Sequence, residues 1–378
     1  MKMIRSFLPV GQGAFYCERF KLNPDDNNFI NVVYDCGSLN NPNRVEKQIK
    51  ANFHEGETIH AVFISHLHND HINGLEFLLK YCNVKNIFFP LSSVRGQAVL
   101  SLYELANGIS FNNFTTKFII NPETALEEIN LDKEPPRIHP IAPEEVNRNP
   151  QEFEANIREN RFKNVSHEIF GESKNLCDDW LYIPFNFSYE ERTNLLFDKL
   201  KILLNSSLDD LTKLGDLWRT CNKEEKDKIK NAYAEIEGSH NPNSMTLYSG
   251  KEAIHRYQRL TNNCCCRCYY NDTRKIGCLY TGDYDASKKE NFDKLKEKYT
   301  NYWENIGCVQ IPHHGSKYSY NTGFSELDSF FVISAGQNNK FCHPHSFVIN
   351  DLLLNDHYPL VVTEKSDSAV YLIVEVFR

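Results

Sequence analysis

The chain has no apolar run long enough to span a bilayer. Its first ten residues, Met1 to Val10, lack the long apolar core of a secretory signal. The expectation is a cytoplasmic protein that does not enter a membrane. Basic residues are also not in excess. Lys and Arg total 42 against 50 Asp and Glu, a formal net charge of −8. A chain-wide electrostatic grip on nucleic acid is therefore disfavoured, because phosphate contacts need cations. A local basic patch is still compatible with this balance, and bound divalent metals would add positive charge that formal counting omits.

There is no internal repeat, and no Cys-x-x-Cys pair is matched by a distant partner pair. Twelve Cys in a chain of 378 residues without a secretory signal do not read as a disulfide scaffold. The dense segment Cys264-Cys265-Cys266-Arg267-Cys268 reads as a strand with incidental Cys, since consecutive strand residues point to opposite faces.

What is present is a globular balance of 41% apolar and 24% charged residues. Residues 1–90 alternate strand and helix patterns. Ile30 to Cys36, His60 to Ser65 and Val84 to Phe89 are β-branched or aromatic runs, and Arg44 to Phe53 and Leu75 to Tyr81 are helical. Residues 240–378 return to strands, at Ser244 to Tyr248, Cys264 to Tyr270, Ile276 to Thr281, Cys308 to Ile311, Phe330 to Ser334 and Ala369 to Val376. Asn271-Asp272 predicts a hairpin. Between them, 91–239 has polar helical stretches such as Lys223 to Glu237 and reads as a largely helical insertion or cap. The expected class is α/β.

The strongest chemical signal is Ser65-His66-Leu67-His68-Asn69-Asp70-His71, directly after a buried-looking strand. In extended chain, residues two apart point the same way, so His66 and His68 can reach one metal. The turn that follows can aim Asp70 and His71 at an adjacent one. Imidazole and carboxylate ligands suit Zn²⁺ or Mn²⁺, and also Fe. Three later features fit. Asp283 ends the strand of Tyr280-Thr281-Gly282-Asp283 and could bridge two ions. Pro312-His313-His314-Gly315-Ser316 follows another strand. His240 precedes a strand, in a position where a lone His is often incidental.

Together these residues resemble the metallo-β-lactamase superfamily, and within it the competence-protein branch, the hydrolase domain of the DNA-uptake protein ComEC. Val10-Gly11-Gln12-Gly13, Asp35-Cys36-Gly37, Leu279 to Asp283, Ile311 to Ser316 and Ser334 to His345 carry the likeness, which spans 1–90 and 240–378. Lys340-Phe341-Cys342 departs from the branch's small and aromatic residues. The transmembrane portions of the uptake protein are absent, so transport is not implied. The resemblance implies a four-layer αββα sandwich with a dinuclear metal site. His66, His68 and His240 would hold one ion, Asp70, His71 and His314 the other, and Asp283 would bridge.

The implied activity is that of a phosphodiesterase or nuclease using a hydroxide held between two Zn or Mn ions. Asp70 would orient the hydroxide and His313 would contact phosphate or protonate the leaving group. Ser316, Asn339 and His343 are candidate substrate contacts, with a purely structural hydrogen bond as the other reading of His343. Substrates are expected to be nucleic acid or a small phosphodiester. A second reading is a small-molecule hydrolase acting on a small phosphodiester, lactone or thioester, since the same kind of metal centre supports those reactions. A third reading makes the chain an effector in a multi-protein bacterial system, such as phage defence, with 91–239 as the surface for a protein partner.

Overall fold

The computed structural model describes residues 1–21, 29–39, 41–143, 164–170, 180–235, 241–252, 254, 258–262 and 272–377. The expected strand Cys264 to Tyr270, with its Cys cluster, lies outside the described residues.

Two large sheets form the centre. Among the described residues the first has nine strands. In spatial order they are β12 (Asp272–Thr273), β11 (Gln258–Asn262), β17 (Val370–Val376), β1 (Lys2–Phe7), β2 (Gly13–Lys21), β3 (Ile30–Ser38), β5 (Ala61–Phe63), β7 (Asn86–Pro90) and β8 (Arg137–Ile141). The second has six: β16 (Leu360–Val362), β15 (Phe330–Ser334), β14 (Ile306–Gln310), β13 (Gly277–Tyr280), β10 (Asn243–Lys251) and β9 (Trp180–Ser188). A small pair joins β4 (Thr58–Ile59) to β6 (Asn83–Val84).

Each sheet is antiparallel in one part and parallel in the other. The strands β3, β5, β7 and β8 run parallel, as do β13, β14, β15 and β16. Parallel neighbours need crossovers, and helices supply them on the outer faces. Pro42–Asn52 and Leu75–Tyr81 cover the first sheet, and Lys289–Lys298 and Ser346–Leu354 the second.

Side-chain alternation divides the core accordingly. Ala61 and Phe63 join the cluster between the sheets with Tyr16, Tyr34, Tyr182, Met245 and Tyr280. Val62 and Ile64 face the other way, against Val45, Ile49, Leu75 and Leu78 of the first helical layer. Val309 and Ile333 of the second sheet pack on Phe292, Leu295, Val348 and Leu352 of the other. The result is the four-layer αββα sandwich expected from the sequence. Among the described residues no helix is long and apolar enough to cross a membrane.

A buried charge ties the sheets together. Arg5 on β1 is fully buried and donates from Nε to Glu18 Oε1 on β2 at 2.8 Å. The Tyr182 and Ser249 hydroxyls of the second sheet both donate to Glu18 Oε2 at 2.6 Å, and Tyr280 donates to Oε1 at 3.0 Å. A buried ion pair is tolerable when its remaining acceptors are met, and here they are. This inward Arg5, with Ile4 pointing outward, hides β1 from a hydrophobic pattern.

The stretch 91–239 supplies more than helices. The strand β8 edges the first sheet and β9 edges the second. Pro184 sits within β9, where an edge strand can lack a donor. The helices Val94–Ala106, Glu190–Leu204 and Lys223–Ala234 share a fourth cluster, with Val99, Leu102, Phe197, Leu200 and Tyr233. Leu100 on the first of these packs into the sandwich instead, so this helix joins the added helices to the sheets.

Candidate metal centre

The parallel strands of both sheets end at one edge, and there the candidate ligands meet. Open α/β sheets place ligands beyond the carboxyl ends of their strands for this reason. The strand β5 leads into His66, β13 into Asp283, and β14 into His313 and His314.

Close backbone approach makes the site compact. A Cβ on Gly37 would lie 2.4 Å from the Asp70 carbonyl carbon, so only glycine lets the His-rich turn settle on β3. Gly282, at φ +54°, lies against Ser65, where an added Cβ would come within 2.5 Å of the Ser65 Cβ. Asp35, His313 and His314 adopt φ of 55°, 49° and 57°. Left-handed backbone at three non-glycine residues concentrates strain beside the cluster.

The His66–His71 segment is organised by Asp35, which is fully buried. The Ser65 amide donates to Asp35 Oδ1 at 2.7 Å and the Ser65 hydroxyl to Oδ2 at 2.7 Å. The same Oδ2 lies 2.8 Å from His71 Nδ1. The Ser65 hydroxyl, having donated, accepts from His66 Nδ1 at 2.9 Å. On the opposite side His314 Nδ1 donates to the Ser334 carbonyl at 2.8 Å. These bonds fix the outer nitrogens and turn each Nε2 inward.

The inward atoms converge. His66 Nε2 and His71 Nε2 lie 3.6 Å and 3.5 Å from the two carboxylate oxygens of Asp283. His314 Nε2 lies 3.7 Å from Asp70 Oδ2, and His71 Nε2 4.0 Å from it. Three overlapping groups could each hold an ion: His66, His68 and Asp70; His66, His71 and Asp283; Asp70, His71 and His314.

The donor set fits a divalent cation. The Nε2 atoms of His66, His71 and His314 and Oδ1 of Asp283 are buried without a hydrogen-bond partner. Stranding four polar atoms in one spot costs about 1–3 kcal/mol each unless something satisfies them. The charges agree. Burial would push Asp70 up, but His71, His314 and His68 hold it below the usual carboxylate range. Asp283 is likewise held low, against burial, by His313, His71 and His314. Burial opposes charge on His71, yet Asp35, Asp70 and Asp283 outweigh it and push it up to about 10. A bound cation would replace that proton.

The other expected site residues are placed as follows. His240 lies outside the described residues. His313 is the most solvent-exposed of the imidazoles around Asp283, with Nδ1 at 3.0 Å from the Ser319 hydroxyl and Nε2 at 3.6 Å from Asp283 Oδ2. His343 stands behind His313 and His314, with ring centroids 5.6 and 6.2 Å away. Its Nδ1 is 3.5 Å from the Gln12 amide nitrogen. Burial and then its neighbours His314 and His313 push it down to about 3.

Asn339 and Ser316 are both engaged within their own loops. The Asn339 amide donates to the Gly336 and His343 carbonyls, both at 2.6 Å, and its oxygen accepts from the Phe341 and His343 amides. It shapes the loop carrying His343. Ser316 is buried, and its hydroxyl accepts from the Tyr318 amide at 3.3 Å. It stabilises the turn after His314.

Three residues beside the cluster were not singled out as site residues by the sequence. Asp35 had a faint signal in Asp35-Cys36-Gly37 at a strand end. Tyr103 and Glu104, on helix Val94–Ala106, had none. The Tyr103 ring stacks on His68 at 4.9 Å, and Glu104 accepts from the Asn69 amide at 3.2 Å. Burial, with Asp70 nearby, pushes Glu104 up to about 8 despite that amide.

Residues 30–94 match the sequence model of the metallo-beta-lactamase superfamily. The match runs from β3 through the His66–His71 turn to the start of helix Val94–Ala106. No curated protein matches the chain in sequence. Among solved structures the chain is similar to human tRNase Z, short form, at 11% identity and TM-score 0.38 over 96% of this chain and 92% of that one. It is also similar to a metallo-beta-lactamase bound to 2-mercaptoethanesulfonate, at 9% and 0.29 over 83% and 82%. A subclass B3 metallo-beta-lactamase from a soil metagenome library follows at 10% and 0.30 over 83% and 81%.

Proposed function

We propose that this chain is a divalent-metal-dependent hydrolase of phosphodiesters, with nucleic acid as the leading substrate. The observation that carries this reading is the convergence of His66, His68, Asp70, His71, Asp283 and His314 at one sheet edge, where the Nε2 atoms of His66, His71 and His314 are buried with no hydrogen-bond partner. His66 and His68 would hold one ion and Asp70, His71 and His314 a second. Asp283 stands between the two groups, within 3.6 Å of His66 and His71. Zinc or manganese ions held there would supply an activated water at neutral pH and Lewis acidity toward a phosphoryl oxygen.

The protein's own residues do the rest. Asp35 orients His71, and through Ser65 it orients His66. The Ser334 carbonyl orients His314. Asp70 would also align the attacking water. His313 presents Nε2 on the exposed side of Asp283 and would carry the proton to the leaving oxygen. Motifs resembling the competence-protein hydrolase branch support the phosphodiester class.

A second reading, hydrolysis of a small molecule, has one observation in its favour. Helix Val94–Ala106 packs Tyr103 on His68 and Glu104 on Asn69, so the added helices reach the metal motif and would narrow the cleft.

The test compares wild type with His68→Ala and Asp283→Ala on single-stranded DNA, duplex DNA, RNA and bis(p-nitrophenyl) phosphate, with Mn²⁺ or Zn²⁺. Turnover by wild type, lost in both variants, is expected. Full activity in both variants in metal-defined buffer would refute the assignment. Turnover of the small ester alone would favour the second reading.

A further inference from the structure

The loops flanking the metal cluster carry a row of rings that leads from the buried ligands to solvent. His343 lies against His313 and His314 at its inner end. The Phe341 ring stacks on His343 with centroids 5.7 Å apart and planes 24° apart. His345 lies 5.0 Å from His343 on its other side, and Tyr318 meets His345 edge-on at 6.0 Å. The outermost rings are exposed, Tyr318 by 65% and Phe341 by 43%. Each is topped by the ammonium of its sequence neighbour, Lys317 over Tyr318 at 4.9 Å and Lys340 over Phe341 at 5.1 Å. Neither ammonium pairs with a carboxylate among the described residues.

Solvated aromatic rings carrying cations, in line with a cluster suited to phosphodiester chemistry, are a costly way to face water. They suit a ligand that alternates flat faces with anions. We infer that this flank, built on Lys317, Tyr318, Lys340, Phe341 and His343, is a stacking platform for an unpaired nucleic-acid strand. The inference rests on the phosphodiesterase reading above and narrows its substrate. Bases stack on Phe341 and Tyr318 while Lys317 and Lys340 meet the flanking phosphates. A duplex cannot use the platform, because its base faces are already stacked on one another. The net charge of −8 makes a long basic track unlike this chain, so stacking supplies more of the grip than charge.

The test is fluorescence anisotropy on metal-loaded wild type and on Tyr318→Ala, Phe341→Ala and Phe341→Trp, with folding confirmed by thermal unfolding. The probes are phosphorothioate-linked oligonucleotides about 12 nucleotides long, as single-stranded DNA, single-stranded RNA and duplex DNA. These keep their charge and resist cleavage. Single strands of at least one sugar type should bind roughly tenfold or more tighter than duplex. Each Ala variant should raise Kd about tenfold, one stacked base being worth about 1–3 kcal/mol. Phe341→Trp should keep wild-type affinity. With two phosphate contacts, log K should fall with log salt at a slope of about −1.4. Equal affinity for duplex, or Ala variants that bind like wild type, would overturn the inference. Bis(p-nitrophenyl) phosphate turnover by wild type, run in parallel, separates the two claims. Turnover with no effect of the rings leaves the phosphodiesterase standing and removes the platform. No turnover of any phosphodiester removes both.

Discussion

The two halves of the candidate metal centre are built by different means. The first half is one continuous stretch, His66 to His71, leaving the single strand β5. One buried carboxylate, Asp35, braces it through the Ser65 amide, the Ser65 hydroxyl and His71. The second half takes Asp283 from the end of β13 and His313 and His314 from the end of β14, and braces His314 with a backbone carbonyl of β15. Positive φ at Gly282, His313 and His314 aims these residues. A local motif braced by one side chain can be destroyed by one substitution. A constellation braced by strand ends and backbone is distributed, and single changes should loosen it by degrees.

The largest effect should come from Asp35→Ala. It leaves the Ser65 amide and His71 without their buried acceptor, and removing one member of a buried charged pair costs about 3–5 kcal/mol. Thermal unfolding should show a marked loss of stability, with metal content falling as well. A wild-type melting curve would show that Asp35 braces nothing.

Gly282→Ala should be milder. The new methyl meets Ser65 at a left-handed φ, and overpacking of this kind costs about 1–3 kcal/mol. The lever is the seam between the halves, so turnover should fall more than stability. An Ala variant with unchanged turnover would mean that the Asp283 loop is not positioned by this contact.

His314→Ala removes a proposed ligand from the second half only. About one of two metal equivalents should be lost, with the stability change smaller than for Asp35→Ala. Loss of both ions would show that the halves are not separable.

The smallest effect concerns Glu104, which braces the Asn69 amide from outside either half. Its folded pKa of about 8 lies above the ordinary 4.5. Between those values the unfolded chain releases the proton first, so this group's contribution to stability is greatest at low pH and declines as pH rises toward 8. The melting temperature of Glu104→Gln should show a weaker fall over that window than wild type. Parallel curves would remove Glu104 from the account.

The same contrast explains what the sequence made legible. The strands Ile30–Ser38, Ala61–Phe63 and Phe330–Ser334 were readable because their neighbours bury both faces, which leaves largely apolar β-branched and aromatic runs. The turn His66–His71 was readable because its candidate ligands are contiguous. Asp283 and His314 were readable only as strand-end residues, and their meeting with Asp70 and His71 depends on two sheets closing face to face. The strand β1 was obscured by Arg5 facing inward, a charge that only Glu18, three hydroxyls and burial explain. The strand β9 was obscured by Pro184, which is tolerable only at a sheet edge. Tyr103 and Glu104 belong to a helix whose approach to His68 and Asn69 is a matter of tertiary packing. Asn339 was readable from its motif, and the four bonds by which its amide closes its own loop were not.

The central claim is that this His and Asp cluster holds divalent ions. Metal analysis by mass spectrometry of the purified protein, set beside Asp283→Ala, tests it most directly. The account predicts about two equivalents of zinc or manganese in the wild type and a clear deficit in the variant. A wild type that binds no divalent ion when supplied with both metals would contradict it.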